Sequence, residues 1–252
     1  MPGAIKNGQN GFQMLLEKQG AHILLFACLF LLPVSQACGK PSAALVSYES
    51  LQFRKAADLF LHHHHREAIQ ICTQILQNDS GYGAAFVLRG ECEVILGDTD
   101  AGMTDLNQAL KMNIRDFEIY YYLGQAFIQR NDYRCAVTNY GKALELAPHN
   151  PMLLREQAEI YGELHEFAKA LECNTRAIEE GPGMAGNFVS RGHTYFAMGQ
   201  YQKAINDYSQ ALKLEPVNLR TYGCRASAYK KLGRKDLYEA DIKKANEGAV
   251  GL

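Results

Sequence analysis

A period of thirty-four residues can be laid along this chain six times, from Glu49 to Leu252, without an insertion or a deletion. Such a period narrows the fold before any propensity is weighed, because each period must be one supersecondary unit. Ala136, Tyr140, Ala143 and Pro148 are followed one period later by Ala170, Asn174, Ala177 and Pro182, and then by Ala204, Tyr208, Ala211 and Pro216. A second set precedes each group: Tyr120, Gly124 and Phe127; Leu154, Ala158 and Tyr161; Phe188, Gly192 and Tyr195; Tyr222, Ala226 and Tyr229. Offsets of four and three put each set on one face of a helix. Gly or Ala where two helices cross lets their backbones approach, with aromatic rings filling the space around the crossing. Pro148, Pro182 and Pro216 cannot continue a helix, so each closes a unit. One helix pair buries too little apolar surface to offset roughly 1 to 2 kcal/mol of chain entropy per residue, so stability must come from stacking, with the end units weakest.

These residues resemble the signature of the tetratricopeptide repeat family: an aromatic, Leu-Gly and Tyr on a first helix, then Ala, an aromatic, Ala and a closing Pro on a second. Tyr120 to Pro148 and Phe188 to Pro216 carry it most fully. The resemblance implies an all-α fold, a right-handed α-solenoid of about six antiparallel helix pairs. The repeats run over residues 49–82, 83–116, 117–150, 151–184, 185–218 and 219–252. The first, second and sixth are degenerate: Gly102 stands for the small Ala, Ser80 and Ile114 for the closing Pro, and Tyr238 for the sixth Ala.

The N-terminus reads differently. Ile23 to Leu32 is an apolar run of about ten residues, too short for a spanning helix of roughly 20 but suited to the core of an export signal. Small residues at Ser35 and Ala37 place cleavage after Ala37, giving a signal peptide over residues 1–37 and a linker over residues 38–48. Translation from Met14, a short membrane anchor and an apolar cap on the first repeat remain open readings of the same stretch. Cleavage there would expose Cys38, so the segment resembles a bacterial lipoprotein signal, which implies lipidation of Cys38 and an outer-membrane address in the cell envelope. Simple cleavage to a soluble exported protein, retention in the endoplasmic reticulum lumen and a cytoplasmic location are the alternatives.

Five further cysteines, Cys72, Cys92, Cys135, Cys173 and Cys224, are spread over five repeats with no short-spaced pair. That pattern is neither a disulfide framework nor a zinc site, and suits small packing residues. Five thiols sit awkwardly with export to an oxidising compartment, and a Cys72 to Cys92 bridge across adjacent repeats is the alternative. The run His62 to His65 falls at the turn inside the first repeat, where consecutive side chains diverge. It reads as a solvated turn, against weak metal binding or a titrating switch. There is no Gly-rich phosphate loop, Gly-x-Ser-x-Gly elbow or His-Glu-x-x-His helix, so the chain reads as a non-enzyme with no cofactor. A net charge of −1 and 47% hydrophobic residues describe an ordinary globular domain without the basic excess of a nucleic-acid binder.

Function then falls to the surface that stacking exposes. The first helix of each pair presents repeat positions two, five, nine and twelve opposite its packed stripe. Candidate residues for a partner groove are Phe53, Phe60, Val87, Glu91, Tyr121, Gln125, Arg155, Glu159, His193 and Phe196, a face apolar at its start, mixed in the middle and basic toward Arg220 and Lys230. This suits a protein or peptide segment anchored by apolar side chains. Coverage of Phe53, Phe60 and Val87 by residues 38–48 or by a second copy is the competing reading. Members of the family that hold the acidic C-terminus of cytosolic chaperones use a set of Lys, Asn and Arg there. Phe53, Ala57, Leu88, Glu118 and Tyr122 do not supply it. The expectation is a scaffold or adaptor, membrane-tethered through its N-terminal segment, or an intracellular adaptor of co-chaperone type without that clamp.

Overall fold

The computed structural model describes residues 48–247. The export signal, the lipidation of Cys38 and all of the linker but Tyr48 lie outside the described residues. Twelve helices follow in chain order, among the described residues, with no strand. The first unit holds α1 (Tyr48–Leu61), α2 (His65–Asn78), α3 (Gly83–Leu96) and α4 (Thr99–Lys111). The second holds α5 (Phe117–Gln129), α6 (Tyr133–Leu146), α7 (Pro151–Glu163), α8 (Phe167–Glu180), α9 (Ala185–Ala197), α10 (Tyr201–Leu214), α11 (Leu219–Lys231) and α12 (Lys235–Asn246). Within each unit every helix packs on the next, and in the second α7 also meets α9 and α9 meets α11. This is an all-α solenoid of helix pairs.

Local chemistry sets the helix ends. Asn150 accepts from the amides of Met152 and Leu153 ahead of Pro151 at the first turn of α7. Asp132 caps α6 through the Cys135 amide and Asn218 caps α11 through the Thr221 amide, each satisfying an orphan donor. The turn inside every pair holds one residue in the left-handed region, at the fifteenth repeat position: His63, Gly97, Asn131, His165, Gly199 and Gly233. Gly and Asn pay least for that conformation, and His is among the other residues enriched there. His63 is therefore the first repeat's version of a conformation that all six share. His62 hydrogen-bonds the Asp58 carbonyl through Nδ1, and the His65 ring packs edge-on to Phe60 with 5.3 Å between centroids.

The crossings explain the small residues. A Cβ built on Gly124 would stand 2.6 Å from the Tyr140 ring, and one on Gly192 would stand 2.6 Å from Tyr208. In the fourth repeat Asn174 stands in place of the ring and a fully buried Ala158 in place of the glycine. In the second repeat both partners are glycine, and a Cβ on Gly102 would lie 2.8 Å from the Gly90 carbonyl oxygen. The degenerate Gly102 thus marks the place where two backbones come into contact.

A second periodic device ties each pair together. Arg89, Arg191 and Arg225, all at the seventh repeat position, fork onto Asp105, Asp207 and Asp241 sixteen residues on. Arg225 holds Asp241 through Nε and Nη2 at 2.8 Å each, while its Nη1 donates to Ser209 Oγ at 3.0 Å in the preceding repeat. Arg89 does the same with Thr73 at 3.1 Å. The carboxylates are buried and the bidentate geometry is the strong form of an ion pair.

Candidate functional site

The first helices of the second unit, α5, α7, α9 and α11, carry a ladder of polar contacts thirty-one residues apart. Gln125 Nε2 donates to Glu156 Oε2 at 2.8 Å and to Tyr140 OH at 2.6 Å, and the Tyr140 hydroxyl donates to Glu156 Oε2 at 2.5 Å. One repeat on, Ser190 acts on the Glu159 carboxyl and favours its ionised form. One further, His193 Nε2 lies 3.4 Å from Cys224 Sγ. In each rung the ninth position of one repeat meets the sixth of the next. Beneath the first and last rungs, in the twenty-fourth position, lie the Tyr140 and Tyr208 rings, and Tyr208 sits 5.7 Å from the His193 ring centre to centre.

The rungs differ in charge. Burial pushes the Glu156 carboxyl up, while hydrogen bonds from Tyr140 and Gln125 and the nearby Arg155 pull it back. Partial desolvation also raises Glu159, whose side chain is 58% exposed, and Arg155, Ser190 and Arg220 oppose that shift. Burial and Arg220 both lower His193, which favours its neutral form. Arg155 stands 3.9 Å from Glu156 and 3.9 Å from Glu159, and its guanidinium covers Gly186, where a Cβ would lie 3.0 Å from Nη1. Gly162 and Gly223 face open space on the same set of helices.

The expected groove residues divide by place. Tyr121, Gln125, Arg155, Glu159, His193 and Phe196 all lie in the second unit, and the ladder brings Gln125, Glu159 and His193 into one row with Arg155 beside it. Tyr121 packs edge-on to Tyr140 at 5.7 Å, and Phe196 to Tyr201 at 5.2 Å. In the first unit Phe53, Phe60 and Glu91 are buried and Val87 is half-buried. Phe53 packs against Tyr82 at 5.5 Å and Phe60 against His65, so local aromatic neighbours occupy the apolar start of the face. Helical phase puts these positions on the open face, and coverage by residues 38–48 or a second copy is the competing reading; the rings found on Phe53 and Phe60 come instead from Tyr82 just before α3 and His65 at the start of α2.

Glu156, Ser190 and Cys224 were absent from the expected set. Their signal is present in the sequence as polar or small residues at the sixth position in three consecutive repeats. Cys72 and Cys92 are free and buried, not bridged. Among the described residues no three His, Cys, Asp or Glu side chains gather as a metal site, and no helix is long and apolar enough to cross a membrane.

Comparison with known proteins matches these repeats. A family model described as Tetratricopeptide repeat matches residues 121–185, and one described as TPR repeat matches residues 192–233. Small glutamine-rich tetratricopeptide repeat-containing protein 2 of Mycosarcoma maydis is 25% identical over 127 residues, covering 50% of this chain and 36% of its own length. The chain spans less than half the length of the curated relatives it matches, 36%, 27% and 46% in three cases. Among solved structures, PilW, titled a widely conserved type IV pilus biogenesis factor, superposes with a TM-score of 0.71 at 17% identity over 79% of this chain and 92% of its own. YrrB, titled a TPR protein with an unusual peptide-binding site, gives 0.57 at 19% identity over 68% and 88%. At these identities the structures speak for the fold alone. The two family models, together with the helix pairs, the glycine–tyrosine crossings and the common left-handed turn, identify residues 121–185 and 192–233 as tetratricopeptide repeats.

Proposed function

We propose that this protein is a non-enzymatic scaffold that captures an extended segment of a partner protein on the first-helix face of its second unit. The ladder from Gln125 to Cys224 carries the reading. It presents hydrogen-bonding groups at a fixed repeat along neighbouring helices, and Gly162 and Gly223 leave room for a backbone to approach between them. Polar groups at fixed spacing set register, and the half-buried Tyr121, Tyr122 and Phe196 supply the apolar contact from which most affinity comes. The likeness to YrrB, whose title names a peptide-binding site, supports the same class of partner. A photo-crosslinking residue placed at Glu159 or Ser227 should trap a protein in cells, and one placed at Glu172 on the outside of α8 should not. Equal trapping from all three positions would remove this face as the site.

We also propose delivery of the scaffold to the cell envelope, with cleavage after Ala37 and a tether on Cys38, on the strength of the apolar run before it. Mass measurement of the mature N-terminus decides it: a lipid-modified Cys38 supports the tether, and an intact Met1 replaces it with the intracellular adaptor.

A further inference from the structure

The second repeat departs from its neighbours at one buried position. In the fifth and sixth repeats the forked arginine also lies over an aromatic ring four residues on, Arg191 over Tyr195 at 6.0 Å and Arg225 over Tyr229 at 5.8 Å. In the second repeat the fork onto Asp105 is kept, but the ring is replaced by Glu93. Arg89 is already committed, Nε and Nη2 to Asp105 and Nη1 to Thr73, so Glu93 Oε1 reaches it only at 3.9 Å. Glu93 Oε2 is buried and has no hydrogen-bond partner. A carboxylate in such a place lacks the compensation that a buried charge needs, whereas a carboxylic acid is tolerated.

The groups facing Glu93 sharpen that preference. Asp105 on α4 and Asp98 in the turn before α4 repel its ionised form, and Arg89 on its own helix opposes them. From α2 the Cys72 thiol faces the cluster, and beside Glu93 on α3 lies Cys92; burial pushes Cys72 up to about 12 and Cys92 higher still, so both stay neutral. None of the charged groups acting on Glu93 comes from α1. With burial as the largest cause, its carboxyl is pushed up to about 7. The next residue, Val94, is the one whose Cγ2 lies where a Cβ on Gly102 would stand, so Glu93 sits beside the closest contact between α3 and α4.

We propose that Glu93 is a proton-operated latch on the second repeat: protonated, it lets α4 close on α3, and ionised, it loosens α4. A carboxyl raised in the folded state favours folding most below its unfolded value of 4.5, and that contribution is lost as pH rises toward 7. Local opening of α4 should therefore increase on the order of tenfold or more between pH 5 and pH 7.5.

Amide hydrogen exchange of α4, taken as the ratio of the full chain to its Glu93→Gln variant at each pH, isolates the effect because intrinsic exchange cancels. The ratio should climb across that range, and Glu93→Tyr, which restores the arrangement of the fifth and sixth repeats, should show the same flat behaviour as Glu93→Gln. Direct NMR titration of the Glu93 carboxyl in the unmodified chain should give a midpoint near 7. A flat exchange ratio, or a midpoint at the ordinary carboxylate value, overturns the latch.

Discussion

Gly192 lies against the ring of Tyr208 so closely that a Cβ on the glycine would stand 2.6 Å from one ring carbon and 2.9 Å from the next. The same glycine-on-ring contact joins Gly124 to Tyr140. Gly192→Ala should therefore destabilise the second unit by about 1 to 3 kcal/mol, the usual range for overpacking, in spite of alanine's better helix propensity. Gly223, on α11, faces open space, so Gly223→Ala should instead stabilise by up to about 1 kcal/mol. Urea denaturation of the two variants tests the pair. Equal signs would show that the crossing is not tight.

The forked pair of the last repeat makes a separate claim about the end of the array. Arg225 and Asp241 join α11 to α12 with 18% and 7% of their side chains exposed. Asp241→Ala leaves a mostly buried guanidinium without its carboxylate, at a cost of about 3 kcal/mol or somewhat more. Because α12 packs only on α11 among the described helices, that loss should appear first as faster amide exchange in α12. Arg225→Lys should recover little of it, since an ammonium has no planar fork to offer. Unchanged protection of α12 in Asp241→Ala would count against the pair as a structural tie.

How much of this was legible beforehand depends on how far a feature repeats. The helix pairs and their crossings recur in nearly every period, and the closing prolines in three consecutive ones, so spacing alone places Gly124, Ala158 and Gly192. The Arg–Asp forks are hard to read from spacing because Lys55 with Ile71, Leu123 with Asn139 and Gln157 with Cys173 interrupt them, leaving three of six repeats to carry the pattern. The polar ladder is half legible: helical phase puts the ninth position on the open face, whereas a sixth-position side chain on an isolated helix gives no sign that it will meet the preceding repeat. Phe53 and Phe60 are buried for a tertiary reason, the rings of Tyr82 and His65 packing on them.

Thiol chemistry follows from burial. Cys72 and Cys92 are fully buried with thiols raised by desolvation, Cys173 is pushed up to about 11, and Cys224 is also raised. Since the thiolate is the reactive form, these four should label slowly at pH 8 in the native state and quickly in denaturant. Cys135 is half-exposed and accessible, and Asp132 beside it holds its thiol up, so it should label before the buried ones yet more slowly than an unhindered cysteine. Rapid native labelling of Cys72 would show that the first pair of helices opens readily.

The Tyr140 hydroxyl and Glu156 make the last prediction, because one donor controls how well a buried acid can ionise. Burial raises the Glu156 carboxyl above its unfolded value, so its contribution to stability is greatest below about pH 4.5 and declines as pH rises toward the folded value. The Tyr140 and Gln125 donors work in the opposite direction by favouring the ionised form. Removing the hydroxyl in Tyr140→Phe strips one of them while leaving the ring against Gly124. The variant should lose about 1.5 to 3 kcal/mol where Glu156 is ionised, the range for a hydrogen bond to a charged group, and markedly less at pH 4. Denaturation midpoints of the two proteins should therefore diverge with rising pH. A constant gap from pH 4 to pH 8 would mean that the hydroxyl does not act on the ionisation of Glu156, and the first rung of the ladder would then be held by Gln125 alone.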